Sequence, residues 1–376
     1  MRIGILGAGI GGLAAALACQ QAGIDFELFD HAENPLSGGV ALTLWANGLG
    51  ALKELGAFQQ GMDWLHSIHE GSLRTDKNEN LYKLPLDWMQ STYGYKPVCV
   101  RRSELVTRLY NTLQAPTIHR MHCEDVTLTD AAGVIVRFSE RPREEFDGVI
   151  AADGIHSIVR RRFIEDSLRT VDYTAWRGIA IDAEVPAASM GEYMGPGMRF
   201  GYATINKSST YWFATVNDRL LPLGPKTSWE NIADRFSTFP KIVQSCIEST
   251  PTQAVLRSSL QYVHPCTPMA KETVGLIGDA AHAITPNLGL GAGLALEDAR
   301  FLLRALKYGQ PIQQVLLRYE QNRSNRVARI ARFTRWLGQG MQLENRRLVQ
   351  LRNHAIRRVP NTVANAVWKA VLGESN

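Results

Sequence analysis

Gly7-Ala8-Gly9-Ile10-Gly11-Gly12 is a GxGxxG pattern that directly follows the apolar run Arg2 to Leu6 and opens an apolar helical stretch. In that setting Gly7 permits a tight turn, Gly9 lets the main chain approach a pyrophosphate, and Gly12 lets helix and strand pack closely. The helix N-terminus adds free N–H donors and the positive end of its dipole. Asp30 lies about 20 residues further on, at the end of the next apolar run, where a carboxylate can accept hydrogen bonds from a ribose hydroxyl. The chemistry implied is the binding of a dinucleotide, and these residues alone fit NAD as well as FAD.

A second constellation lies in the other half of the chain. Val274 to Ile277 reads as a buried strand running into Gly278-Asp279-Ala280-Ala281-His282. Thr285-Pro286-Asn287-Leu288-Gly289-Leu290-Gly291-Ala292-Gly293 follows, then a helix carrying Glu297-Asp298-Ala299. Glycines ahead of a helix again offer main-chain donors to an electron-rich group, such as a flavin ring or a ribityl phosphate. One extended dinucleotide can touch both constellations. A third segment, Asp147 to Ala152 followed by Asp153-Gly154 and Arg160, places another acid at a strand end. His282 reads as a residue that shapes its loop, and Trp45, Trp176 and Trp212 read as core.

These residues need a scaffold. Residues 2–6, 10–22 and 25–29 form a strand, helix and strand, the βαβ unit of a parallel sheet. Met198 to Ile205 and Thr210 to Val216 alternate in polarity around the turn-like Asn206-Lys207-Ser208-Ser209, which predicts an antiparallel hairpin in a different sheet. From Leu294 onward helical periodicity dominates, with a break at Pro360 and a last helix over Asn361 to Leu372. The fold class is α/β: a Rossmann-type parallel sheet interleaved with an antiparallel-sheet substrate domain, plus C-terminal helices. Residues 1–72, 98–170 and 266–315 are assigned to the first domain, 73–97 and 171–265 to the second, and 316–376 to the C-terminal helices.

At 376 residues, 45% hydrophobic and 20% charged, the chain is long enough for two connected lobes around a sizeable core. Its net charge of +5 is unevenly spread. Between Arg318 and Pro360 there are eleven arginines and two acids, a local excess of +9, whereas the other 30 basic and 34 acidic residues leave about −4. Arginines at every third position from Arg323 to Arg335, among Val327, Ile330 and Phe333, predict the solvated face of an amphipathic helix. No nucleic-acid motif accompanies them, and neither a nucleic-acid nor a membrane partner is expected.

Cys19, Cys99, Cys123, Cys246 and Cys266 are scattered, without a CxxC pair or a His/Cys ligand cluster, so no disulfide framework or metal is expected. The glycine-interrupted N-terminal run suits neither a signal peptide nor a membrane span, and a cytoplasmic location is expected.

Together these segments resemble the class A flavoprotein monooxygenases, the aromatic-ring hydroxylases that include salicylate and urate hydroxylases. The resemblance spans nearly the whole chain. It adds Thr43-Leu44-Trp45-Ala46-Asn47-Gly48, Val100-Arg101-Arg102-Ser103-Glu104-Leu105 and Tyr319-Glu320-x-x-Arg323 to the segments above. It implies FAD as cofactor, with Gly7, Gly9, Gly11, Gly12, Asp30, Thr43, Arg102 and Val126 at the ADP half and linker. His31, where a basic residue is common, would stand at the adenine side. Asp279 would bind the ribityl chain, and Pro286, Leu288, Gly289, Leu290, Gly291 and Ala292 would line the isoalloxazine. Asp153 and Gly154 are linked in this family to both FAD and nicotinamide-nucleotide binding. Leu290 and Gly293 replace the Gln and Asn that many members carry.

The resemblance implies that NADH or NADPH reduces the flavin, that O2 adds to form a C4a-hydroperoxide, and that one oxygen passes to an electron-rich aromatic or heteroaromatic ring. Arg199 and Tyr211 match in spacing an Arg and a Tyr that contact substrate in urate hydroxylase. Asn287 falls where that enzyme has an acid, and an amide cannot serve as a carboxylate base. Arg177 is a further candidate for the flavin or substrate face. The alternatives are another flavin oxidoreductase on the same fold, such as a reductase or a halogenase, the latter of which would carry WxWxIP where this chain has Thr174-Ala175-Trp176-Arg177-Gly178-Ile179; a nicotinamide dehydrogenase; and a flavin-binding protein that sequesters a ligand without turnover.

Overall fold

The computed structural model describes residues 1–59, 62–130, 133–139, 142–164, 168–221, 229–264 and 268–373. Among these residues, a six-stranded sheet runs in the order Ala270–Lys271, Val274–Leu276, Gly148–Ala151, Arg2–Leu6, Asp25–Asp30, Ile118–Arg120. All neighbours are parallel except the first pair. Ile3, Ile5, Leu6, Val149, Ile150, Val274 and Leu276 are all buried, the continuous apolar pattern of parallel strands covered on both faces. Leu6 stands opposite both Phe29 and Ala151, and Ala151 opposite Leu276, so four strands end side by side. Their carboxyl ends carry Gly7, Asp30, Ala152 to Gly154, and Gly278-Asp279. That edge is where open α/β sheets bind ligands.

A seven-stranded sheet lies apart, in the order Leu256–Val263, Leu168–Ile181, Ser189–Gly195 reached through Ser209–Asn217 and Met198–Thr204, then Glu70–Thr75 and Asn80–Lys83. The expected hairpin is present, and Asn206 Oδ1 accepts the Ser208 and Ser209 N–H groups to close its turn. Side chains alternate across this sheet. One face packs Trp176, Phe200 and Trp212 with Trp229 and Phe236 into a second core. The opposite face presents Tyr173, Arg177, Arg199, Tyr211 and Phe213. The expected boundaries at 72 and 170 fall inside the strands Glu70–Thr75 and Leu168–Ile181, so the chain enters this sheet three residues earlier each time. The boundary at 265 and Cys266 lie outside the described residues.

The C-terminal helices Ile312–Met341, Arg346–Arg357 and Asn361–Leu372 cover both lobes. Arg329 and Arg332 are exposed as expected, but Arg323 is not: only 4% of it is accessible. The reason is a pair of buried acids on the Gly291–Leu306 helix. Arg323 Nε donates to Asp298 Oδ1 at 2.8 Å and Arg323 Nη1 to Glu297 Oε2 at 2.5 Å, while Arg326 Nη2 donates to Glu297 Oε1 at 2.8 Å. Every third residue was therefore split between core and solvent. Cys19, Cys99, Cys123 and Cys246 are free thiols. Among the described residues, no cluster of His, Cys, Asp or Glu is suited to a metal ion, and no helix is long and apolar enough to cross a membrane.

Candidate active site

The glycine turn is built to steric limits. Gly7 has φ +101°, and a Cβ there would stand 2.3 Å from the Ala152 carbonyl oxygen; a Cβ on Gly12 would stand 1.7 Å from the Gly7 carbonyl oxygen. Gly9 differs, because a Cβ there would meet only Arg102 Nη2, at 3.6 Å, across open space. Gly9 and Gly11 border the cavity, whereas Gly7 and Gly12 form the packed turn beneath it. Asp30 has a structural task as well: its two carboxylate oxygens accept the Ala8 N–H at 2.7 Å and the Ala32 N–H at 2.8 Å. It fixes the turn to the neighbouring strand.

A cavity of about 970 Å³ joins the ends of the parallel strands to the open face of the antiparallel sheet. Thr43, Arg102, Gly154, Asp279, Pro286, Leu288, Gly289, Gly291 and Ala292 all line it, as the sequence anticipates. Five anticipated side chains are not among the residues that line it: Asp30, His31, Val126, Asp153 and Leu290. Val126 and Leu290 are fully buried in apolar cores, and His31 is exposed outside the cavity, edge-on to His122. Burial of an aliphatic side chain leaves only its main chain to meet a ligand. Asp153 is half-buried and caps the short helix after it, accepting the Ile158 N–H at 2.9 Å; burial raises its pKa.

The second constellation is held by the ionic cluster described above. Asp298 Oδ2 accepts the Gly278 N–H at 3.0 Å and contacts His282 Nε2 at 2.6 Å. His282 is buried and tied to this acid, so it shapes the loop as expected. Tyr319 donates to the Leu276 carbonyl at 2.9 Å, and Arg160 Nη1 donates to the Ala280 carbonyl at 2.9 Å. Asp279 is thereby left accessible on the cavity wall, surrounded by protein. Burial raises its pKa, against the opposing pull of His282, Arg102 and Arg160. Gly293 lets the Ala46–Glu54 helix approach: a Cβ there would stand 3.1 Å from Asn47 Nδ2, which itself donates to Glu297 at 2.7 Å. Gly at 293 is explained by that contact. Trp45 also departs from a purely core role, donating to the Leu288 carbonyl at 2.8 Å beside the cavity.

On the sheet face, Arg199 does line the cavity, but its guanidinium is already committed. It donates to Gln342 Oε1 at 2.7 Å, Glu192 Oε1 at 3.0 Å and Asn287 Oδ1 at 2.8 Å, with Met341 Sδ at 3.2 Å. Its charge is matched by Glu192. Asn287 is equally committed, accepting also from the Tyr173 hydroxyl at 3.2 Å and donating to the Thr334 carbonyl at 3.0 Å. Glu192 and Gln342 were missed because nothing local marks them: one lies on the adjacent strand and the other follows a helix 143 residues away. Tyr211 and Arg177 have no such partners among the described residues and both line the cavity. Burial pushes the Tyr211 hydroxyl up to about 12, with Arg177 opposing.

These glycines, the strand-end acids and the open sheet face suit a flavin-dependent oxidoreductase. The chain belongs to the FAD binding domain family, which it matches over residues 1–334, and within it to the class A flavoprotein aromatic hydroxylases. It is 32% identical to the 2-heptyl-3-hydroxy-4(1H)-quinolone synthase of Pseudomonas aeruginosa, covering 96% of this chain and 95% of that one. It is 29% identical to the aurachin C monooxygenase/isomerase of Stigmatella aurantiaca, over 91% and 90%. Klebsiella pneumoniae HpxO, solved with FAD and uric acid, superposes with a TM-score of 0.89 at 25% identity, over 99% of this chain and 97% of that one.

The residues present fit FAD. Gly7 and Gly12 admit no side chain, a Cβ on Gly9 would meet only Arg102 Nη2, and the Asp279 carboxylate on the cavity wall has no hydrogen-bond partner among the described residues. The second constellation gives the N-terminus of the Gly291–Leu306 helix to the same cavity.

Proposed function

We propose that this protein is an NAD(P)H-dependent monooxygenase that inserts one atom of O2 into an electron-rich aromatic or heteroaromatic ring. The balance is ring C–H plus O2, NAD(P)H and a proton, giving ring C–OH, water and NAD(P)+. FAD, when bound, supplies the electron transfer from nicotinamide and the activation of O2. Gly9, Gly11 and Asp30 would hold the ADP half, Thr43 and Arg102 the linker, and Asp279 the ribityl chain. Pro286, Leu288, Gly289, Gly291 and Ala292 would border the ring system.

The protein's own part is binding, orientation and exclusion of water. The observation that carries the reading is the continuity of one cavity from Gly9 and Asp279 to Arg177 and Tyr211. It lets a ring sit on the sheet face within reach of a cofactor bound at the strand ends. Tyr211 stays a neutral phenol through the physiological range, so it can donate a hydrogen bond to a ring oxygen. Arg177 adds a positive charge on that face with no acidic partner among the described residues. The names of the quinolone synthase and the aurachin C monooxygenase support a nitrogen heterocycle. With Asn287 locked between Arg199 and Thr334, a purine that requires a carboxylate base is disfavoured.

The test is an absorbance spectrum of the purified protein followed by NADH and NADPH oxidation in air with phenols, hydroxybenzoates, quinolones and purines. A flavin spectrum, ring-stimulated oxidation and a product heavier by one oxygen are expected. A protein that cannot take up FAD, or that binds rings without turning them over, would overturn the proposal.

A further inference from the structure

Residues 318–358 contain eleven arginines, yet none of them is among the described residues that line the cavity. Every wall residue contributed by the C-terminal helices is apolar. Phe333 and Leu337 come from the Ile312–Met341 helix, Ile356 from Arg346–Arg357, and Val363, Val367 and Trp368 from Asn361–Leu372. Arginine supply is therefore not the limit; the cationic side chains point elsewhere.

The outer part of this wall is open. Trp336, Val363 and Val367 line the cavity and are 68%, 51% and 40% exposed. Large apolar side chains gathered at the mouth of a cavity mark a binding surface for an apolar group. Deeper in, the Arg199 charge is cancelled by Glu192, so that end of the sheet face does not call for an anionic ring. On the sheet face Arg177 and Tyr211 remain for polar recognition, and Tyr211 packs against the same apolar cluster as Phe333 and Trp368.

We infer, on the basis of the monooxygenase reading above, that the ring substrate carries an aliphatic chain several carbons long, which lies along the wall formed by Phe333, Trp336, Leu337, Val363 and Val367. The ring stays on the sheet face and the chain runs outward toward the mouth. Binding then strengthens with each methylene that leaves water, until the chain emerges into solvent.

The FAD-loaded protein is titrated with 4-alkylphenols and 2-alkyl-4(1H)-quinolones from methyl to nonyl, following flavin and tryptophan fluorescence. In at least one series Kd falls about fourfold per methylene and then levels. Val363→Asp and Val367→Asp, both at exposed positions, flatten that slope and leave the methyl compounds unchanged. A flat or absent response in both series overturns the inference, as does a full slope retained by both variants. Ring-stimulated NAD(P)H oxidation alongside a flat series leaves the monooxygenase reading standing and removes only the chain. A steep series without oxygenated product does the reverse.

Discussion

Arg199 Nη1 donates to Glu192 Oε1 at 3.0 Å, and the guanidinium is only 2% exposed. The pair sits on the cavity wall, where burial raises the Glu192 pKa and Arg199 counteracts it. A buried cation whose counter-charge comes from the protein has little left to offer a ligand. Glu192→Gln keeps the shape and removes the negative charge. Affinity of the FAD-loaded protein for ring carboxylates such as salicylate should rise about tenfold, the scale of one charge-assisted hydrogen bond. Uncharged phenols should bind as before. Equal titration curves for wild type and variant with salicylate would show that Arg199 is out of reach of the ligand.

The two glycines of the turn make opposite predictions. Gly12→Ala forces a Cβ to within 1.7 Å of the Gly7 carbonyl, so the turn must rearrange and soluble, flavin-loaded protein should not be recovered. Gly9→Ala meets only Arg102 Nη2 at 3.6 Å, so the apoprotein should fold with a nearly unchanged melting temperature while flavin occupancy drops. Full occupancy in the Gly9 variant would place the pyrophosphate elsewhere.

Asp279→Ala removes an accessible carboxylate that the Asp298, His282 and Arg160 contacts hold on the cavity wall. Flavin affinity should fall roughly 10- to 100-fold, the range of a hydrogen bond to a charged group. The ratio of flavin to protein absorbance after dialysis measures it.

How far the sequence foretold these positions depends on range. Gly7, Gly9, Asp30 and Asp279 are set by local rules, a turn after a strand and an acid at a strand end, and the hairpin by alternation around Asn206. Arg323 shows where that logic stops. Its three-residue spacing from Arg326, Arg329 and Arg332 describes a helix face, but only the tertiary position of Glu297 and Asp298 decides which arginines turn inward. Arg199 shows the same limit: its strand position was legible, whereas its partners Gln342, Asn287 and Glu192 come together only in the folded chain. The apolar wall of the C-terminal helices was hidden by the arginines interleaved with it.

The cluster around Glu297 should set the acid limit of the fold. Burial opposes the charged carboxylate, but Arg323, Arg326 and Asn47 outweigh it and hold the pKa down at about 2, against an ordinary 4.5. Asp298 is lowered as well; burial again opposes, and His282 and Arg323 prevail. A depressed carboxyl stabilises the fold fully above its unfolded pKa, and that contribution is lost as pH falls toward the folded value. Urea unfolding should therefore weaken steeply between pH about 4.5 and about 2, and Glu297→Gln should be less stable at pH 7 but lose less over that interval. Parallel pH curves for the two proteins would remove the cluster from this role.

Tyr211 tests the sheet face directly. Its hydroxyl is held up at about 12 by burial, so it remains protonated across the working range and is able to donate a hydrogen bond. Tyr211→Phe should keep full flavin occupancy and raise KM or lower kcat by roughly tenfold with the true substrate, consistent with about 1 to 1.5 kcal/mol for a neutral hydrogen bond. Because the phenol does not titrate below pH 10, the pH profile of kcat/KM between 6 and 10 should keep its shape in the variant. A limb that vanishes with the hydroxyl would mean that Tyr211 ionises during turnover, and unchanged kinetics would mean that the ring binds on the Arg177 side without it.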